Sequence, residues 1–526
     1  MSELSAALDE AWMSTCRAVL GGEVGGLEGF APYLLEDVEP MSEKTSALSG
    51  KPVQAGEEYF PTEAVFIGHD EVKEYQQKHP AIRLDINQVK DLDSVLDGIR
   101  EQAVYVGNLT LGKSEHLEES HRCTNSFYVK RSLMVESCKY VAYCSIHGQC
   151  ENIFGCRYTR EAKFGIRSTQ FYRSARCFEA AVTMKCSDCH YTANMEDCSD
   201  CMFSFNQKGG RNLIGNRPFA KSEYLKLKAA LLEQIRSDLS SKKRVMGLAE
   251  LLSGARAAGM GEQKEFLQFP KKKPSQNVER SWEDVTAVLL GCRMKGLQDY
   301  GPWLFSHARK PRIVRSAKSQ KNVLVMPLRS YLAWSDAMLT YEEAWEQGKQ
   351  MLGIDEARAL TIQNARQVLG DLKLATTDLR MGRNTAVEES VNYFDSSDCF
   401  FGAGYLQSKT SGYSFIVREG EGVFGSDTLL YSKFCVKCSH STYLVRCMEV
   451  SDSFSSSDCL FCHNVENCQE CMFCFNVKAK SYAIGNVEMK KEDYLRVKKL
   501  VLDEITAKLE KNKKLEFDIY NIGCKR

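Results

Sequence analysis

Thiols are the most concentrated chemistry in this chain. Nineteen of its 22 cysteines fall at residue numbers divisible by three. They are Cys123, Cys138, Cys144, Cys150, Cys156, Cys177, Cys186, Cys189, Cys198 and Cys201, then Cys399, Cys435, Cys438, Cys447, Cys459, Cys462, Cys468, Cys471 and Cys474. Cys16, Cys292 and Cys524 break the phase and lie outside both clusters. Cys177, Cys189, Cys198 and Cys201 match Cys447, Cys459, Cys468 and Cys471 at a constant offset of 270. Four thiolates are the donor set of a tetrahedral zinc site. Cys468-x-x-Cys471-x-x-Cys474 also has the spacing of iron–sulfur ligation, although Ser204 stands at the counterpart of Cys474. Cys138 with Cys144, and Cys150 with Cys156, are six apart and could bridge a thin coil as disulfides, which a cytoplasmic setting opposes. The competing explanation is packing. A chain that turns one residue in three inward produces Cys-x-x-Cys automatically, and free cysteine behaves as a small buried apolar residue. Packing is the favoured reading, with no cofactor expected and zinc on the eight shared cysteines as the alternative.

Other catalytic chemistry is sparse, and the balance leans away from an enzyme. None of the nine histidines recurs at the offset of 270: His69, His121, His147 and His190 face Leu339, Val391, Val417 and Leu460. Ser49-Gly50-Lys51 lacks the glycine-rich lead of a phosphate loop. Gly21-Gly22-Glu23-Val24-Gly25-Gly26 reads as a helix-breaking turn, because Gly21 and Gly26 alone recur. The recurring charges Glu118, Glu119, Arg176, Glu179 and Asp188 are expected in solvated turns and local pairs. Trp12 and Trp282 are expected to anchor cores. An enzymatic site in a cleft between two halves of the chain is the remaining alternative.

Composition narrows the class further. The 526 residues are too many for one ordinary core. With 69 basic and 69 acidic residues, net charge gives no reason to expect a nucleic-acid or membrane surface. No apolar run approaches a membrane span, and the acidic N-terminus has no signal-peptide core. The expected location is cytoplasmic.

The elements that must position the thiols are written twice. Residues 176–206 align with 446–476 at 14 of 31 positions. The match extends to Ile214-Gly215-Asn216 with Ile484-Gly485-Asn486, and upstream to Trp12 with Trp282. Helices are expected over 3–20, 26–37, 70–78 and 87–101, with strands over 64–67 and 103–111. In the second copy helices are expected near 341–351 and 356–372. The cysteine zones have a period of three, neither helix nor flat strand. A parallel β-solenoid of about twelve residues per coil accounts for it, with ladders such as Cys435, Cys447, Cys459, Cys471. About seven coils would make a rod roughly 34 Å long. Asx residues repeating at twelve, Asp188 with Asp200 and Asn194 with Asn206, suit left-handed corners. Amphipathic helices over 221–237 and 491–508 would cover the exposed solenoid ends.

The expected fold is therefore α+β, a tandem duplication in which each copy has a mixed α/β cap domain, a parallel β-solenoid and a C-terminal capping helix. The boundaries are 1–120 cap, 121–216 solenoid, 217–256 capping helices and 257–280 linker, then 281–390 cap, 391–486 solenoid and 487–526 capping helix. The inward spacing resembles the twelve-residue solenoid of beetle antifreeze proteins, without their Thr-x-Thr ladder. Glu466-Asn467-Cys468-Gln469-Glu470-Cys471 and Lys490-Lys491-Glu492-Asp493-Tyr494 resemble a group of cysteine-rich proteins of uncharacterised function from candidate-phylum bacteria and their phages. That resemblance implies a solenoid fold and no particular activity. The expected role is a structural or interaction protein built as a covalent pseudo-dimer, with a protein partner or self-association.

Overall fold

The computed structural model of the chain describes residues 2–56, 59–81, 89–148, 150–160, 163–167, 169–253, 265–266, 268–270, 272–429, 432–438 and 445–524. Helices and mostly parallel strands coexist, giving an α+β architecture. Contacts divide the chain into two compact units. The first unit comprises Met1–Pro40, Lys113–Phe266 and Arg312–Leu379, and the second Met41–Gly112, Leu267–Pro311 and Arg380–Arg526. Where the sequence order suggests consecutive domains, residues 41–112 group with the later cysteine zone and 312–379 with the earlier one. The linker residues Gly259, Met260, Gly261 and Lys271 lie outside the described residues.

In the first unit, α1 (Glu3–Leu20) starts at the Ser2 hydroxyl, which accepts the Ser5 N–H at 3.2 Å, and stops at Gly21 with φ 76°. Leu4, Leu8, Trp12, Cys16 and Val19 form its buried stripe at helical spacing. Trp12 is fully buried and donates to the Gly25 carbonyl at 2.8 Å, as a core anchor should. α2 (Lys221–Lys242) runs further than its sequence pattern, to a left-handed Lys243. The second unit holds α3 (Gln276–Leu290), ended by Gly291 at φ 75°, and α4 (Lys491–Asn512), ended by Lys513. The helix expected over 356–372 is broken into Ile354–Arg358, Ala365–Val368 and a 3-10 turn at Gly370–Lys373. The cause is local: Asn364 accepts the Thr361 N–H at 2.8 Å while Thr361 Oγ1 accepts the Asn364 N–H at 3.1 Å. Such side-chain bonds compete with helix continuation.

The cysteine zones are parallel ladders with partners twelve residues apart. Leu117 pairs with Val129 and Cys189 with Cys201, and Val387 pairs with Cys399 and Cys459 with Cys471. The residue before each inward position is left-handed: Asp188, Tyr191, Asn194, Asp197, Asp200, Phe203 and Asn206 have φ of 56°, 54°, 55°, 52°, 52°, 48° and 56°. Asx residues hold several corners as expected, but aromatic Tyr191 and Phe203 and β-branched Val182 and Ile416 adopt the same conformation. Each such residue costs roughly 1–2 kcal/mol. Ladder bonds on both sides offset this, as where Asp188 donates to Ala175 O at 3.1 Å and Phe203 to His190 O at 3.0 Å. A net value of about 1 kcal/mol per bond is of the size needed.

Each ladder stops in the same way. Ile214 pairs antiparallel with Arg217, and Ile484 with Val487, across Gly-Asn turns in which both residues have positive φ. The amide of Asn486 then replaces a further strand, accepting the Phe475 N–H at 2.8 Å and donating to the Phe475 carbonyl at 2.9 Å. Asn216 accepts the Phe205 N–H at 2.8 Å and donates to Gln350 O at 3.0 Å. In the first unit Asn194 donates to Asn206, and Asn206 to Leu374 O at 2.8 Å. In the second, Asn464 donates to Asn476, and Asn476 to Val104 O at 2.9 Å. Stacked asparagines thus pin residues 312–379 and 41–112 to their ladders.

Candidate functional site

Inward positions fall into two alternating kinds. At one kind the side chain packs: Val129, Val135, Val141, Ile153, Cys177, Cys189, Met195, Cys201 and Leu213 belong to one buried cluster. The other kind shares that cluster through Cys138, Cys144, Cys186 and Cys198, and at several of its positions the side chain also accepts a backbone N–H from twelve residues on. Ser126 accepts from Cys138 at 3.2 Å, Ser174 from Cys186 at 3.1 Å, Cys198 from Gly210 at 3.3 Å and Ser456 from Cys468 at 3.1 Å. Cysteine therefore stands in for valine at one kind of position and for serine at the other.

The eight shared cysteines are all buried free thiols. Each donates to the carbonyl two residues back, from Cys198 to Glu196 at 3.2 Å to Cys471 to Gln469 at 3.5 Å. Cys189 also lies within hydrogen-bonding reach of Cys177, Cys186 and Cys201, and Cys198 of Cys186 and Cys201. Cys459 reaches Cys447, Cys462 and Cys471, and Cys468 reaches Cys471. Interactions with neighbouring thiols, together with burial, push Cys189 and Cys459 well above the ordinary thiol range. The thiols of each shared set thus neighbour one another along their ladder. Among the described residues, no group of three or more His, Cys, Asp or Glu side chains has the arrangement to hold a metal ion.

A second concentration of polar groups escaped the sequence reading. Arg167 and Glu179, twelve apart, form an ion pair at 3.3 Å with side chains 4% and 2% exposed. Glu179 accepts the Tyr33 hydroxyl at 2.6 Å and the Leu248 N–H at 2.6 Å. Arg167 also reaches Glu36 at 2.9 Å and Asp37 at 2.5 Å. In the second unit Lys437 meets Glu449 at 3.1 Å, and Glu449 accepts the Ile519 N–H at 3.2 Å. His307 lies 3.3 Å from Asp518 nearby. Burial raises both glutamates. Glu179 is thus a correction to the expectation of solvated charge: α-helical residues 31–35 and 248–252 cover it. The available signal was opposite charge at twelve, shared by the half-exposed pairs Arg176–Asp188 and Arg446–Asp458, which pair locally as expected.

His463, Asp452 and Ser451 come together in the second unit without the geometry of a hydrolytic triad. His463 Nε2 accepts the Val106 N–H at 3.3 Å, and the Ser451 hydroxyl donates to Asp452 at 2.8 Å. All three side chains are buried, so neither a nucleophile nor a base faces solvent. Compared with known protein families, curated proteins and solved structures, the chain matches none.

Proposed function

We propose that each twelve-residue ladder is a β-solenoid, that the two are copies produced by internal duplication, and that the chain serves as a rigid interaction scaffold. One observation carries this reading: every shared thiol is turned into the ladder interior and already spends its S–H on a backbone carbonyl. Groups so engaged support packing better than transferable chemistry. The pinned segments 312–379 and 41–112 add cover to faces that would otherwise be free. Among the described residues, no helix is long and apolar enough to cross a membrane. Elemental analysis of the purified chain, paired with thiol titration in denaturant without reductant, tests the reading. It expects 22 titratable thiols and a negligible metal content. About two zinc or iron ions per chain would overturn it in favour of a thiolate metal protein.

A further inference from the structure

The two units differ where the long C-terminal helix passes the end of the first helix. In the first unit Arg236 on α2 donates to the Leu20 carbonyl at 2.6 Å, at the C-terminal end of α1. Its guanidinium also pairs with Glu233 on the same helix. Gly21 and Gly22 make room for it: a Cβ on either would meet Arg236 atoms at 3.1 and 3.0 Å. A cation suits this spot, because helix C-terminal carbonyls carry partial negative charge.

At the offset of 270, Thr506 replaces Arg236, Leu290 replaces Leu20, Cys292 replaces Gly22 and Asp503 replaces Glu233. Thr506 cannot reach across, and its hydroxyl is buried without a hydrogen-bond partner. A Cβ on Gly291 would meet nothing within 4 Å. A groove of about 450 Å³ stands there, lined by Leu290, Gly291, Leu460 and Leu502, by the ion pairs Arg446–Asp458 and Lys499–Asp503 and by Lys498, with Val288 and Leu495 on it exposed at 52% and 45%. Lys499 holds Asp503 at 2.6 Å, but both side chains are mostly exposed, so the pair is weak and exchangeable.

We infer that the groove between α3 and α4 takes an arginine side chain of a protein partner, flanked by apolar residues. The guanidinium would occupy the place that Arg236 fills in the first unit, donating to the Leu290 carbonyl and to Asp503. The flanking residues would cover Val288 and Leu495. The inference rests on the scaffold reading for the equivalence of the two halves, and it names the partner chemistry that reading leaves open.

The test is calorimetric titration of the full chain with the peptide Ac-Leu-Arg-Leu-NH2 and with its citrulline and glutamate counterparts. Saturable binding of the arginine peptide is expected, at least tenfold tighter than either counterpart. The double variant Thr506→Arg, Cys292→Gly supplies an internal plug, and it should lose at least tenfold in affinity while melting no lower than the parent. Leu495→Asp, at an exposed site with little bearing on folding, should weaken binding independently. No arginine-peptide binding at millimolar concentration, equal binding of the citrulline peptide, or preference for the glutamate peptide would each overturn the inference. A metal-loaded chain that still binds the arginine peptide would sink the scaffold reading and keep this one. A metal-free chain indifferent to the peptide would do the reverse.

Discussion

In the first unit a guanidinium from α2 closes the end of α1, and an arginine with three carboxylates crosses the buried side of the ladder. In the second, the corresponding helix end lies open, and a lysine with one glutamate takes the buried position. The ladders themselves keep the same twelve-residue register. The difference teaches that the same twelve-residue period is compatible with different polar groups around it. Tests that set one unit against the other therefore separate what the ladder needs from what is particular to each unit.

The largest contrast is expected at the buried glutamates. Removing one member of a buried ion pair costs about 3–5 kcal/mol when the other is stranded. Glu449→Gln strands Lys437, which has no other carboxylate within 4 Å among the described residues. Glu179→Gln leaves Arg167 with Glu36 and Asp37. Urea unfolding should therefore show a loss of about 3–5 kcal/mol for the first variant and about 1–2 kcal/mol for the second. Equal losses would mean that the partly exposed carboxylates contribute nothing to holding Arg167.

Acid should expose another difference. His190 is buried against the Val19 carbonyl at 2.9 Å, and burial lowers it to about 4. Its unfolded value is about 6.5. A base held neutral in the fold gives stability that is full above the unfolded value and lost as pH falls from about 6.5 toward 4. The loss by pH 4 is about 3 kcal/mol. Leu460 occupies the matching position of the second unit and cannot titrate. His190→Leu should flatten the stability profile between pH 6.5 and 4 relative to the parent. An unchanged slope there would assign the acid sensitivity to groups other than His190, among them His69, which burial also lowers.

Much of the local architecture was legible in the residues. α1 follows from its apolar spacing and the Gly21 end, and the ladder register follows from inward residues every third position. The exchange of residues 41–112 and 312–379 was not legible, because local pattern records which face is apolar and not which ladder it meets. The broken helix at 354–373 departs from its helical spacing because the mutual Thr361–Asn364 bonds and the left-handed Gly370 interrupt it. The thiols were visible as a period, but their two separate duties depend on which N–H needs an acceptor, and that requires the register of neighbouring strands.

Those two duties give the finest comparison, between Cys189 and Cys198. Both are buried, both donate to a carbonyl two residues back, and both belong to the set with metal-like spacing. Cys189 stands where the same ladder elsewhere uses valine, isoleucine and methionine, so Cys189→Val should cost less than about 1.5 kcal/mol. Cys198 accepts the Gly210 N–H, so Cys198→Val leaves that donor without an acceptor at a cost of about 1–3 kcal/mol. Cys198→Ser restores an acceptor of the kind found at Ser126, Ser174 and Ser456, and should recover most of the loss. A metal site would behave otherwise. Each valine would delete one ligand and serine would be a poor replacement, so Cys189→Val and Cys198→Ser would both be severe. Thermal melts of the three variants decide between a thiol that packs, a thiol that accepts a hydrogen bond and a thiol that binds an ion.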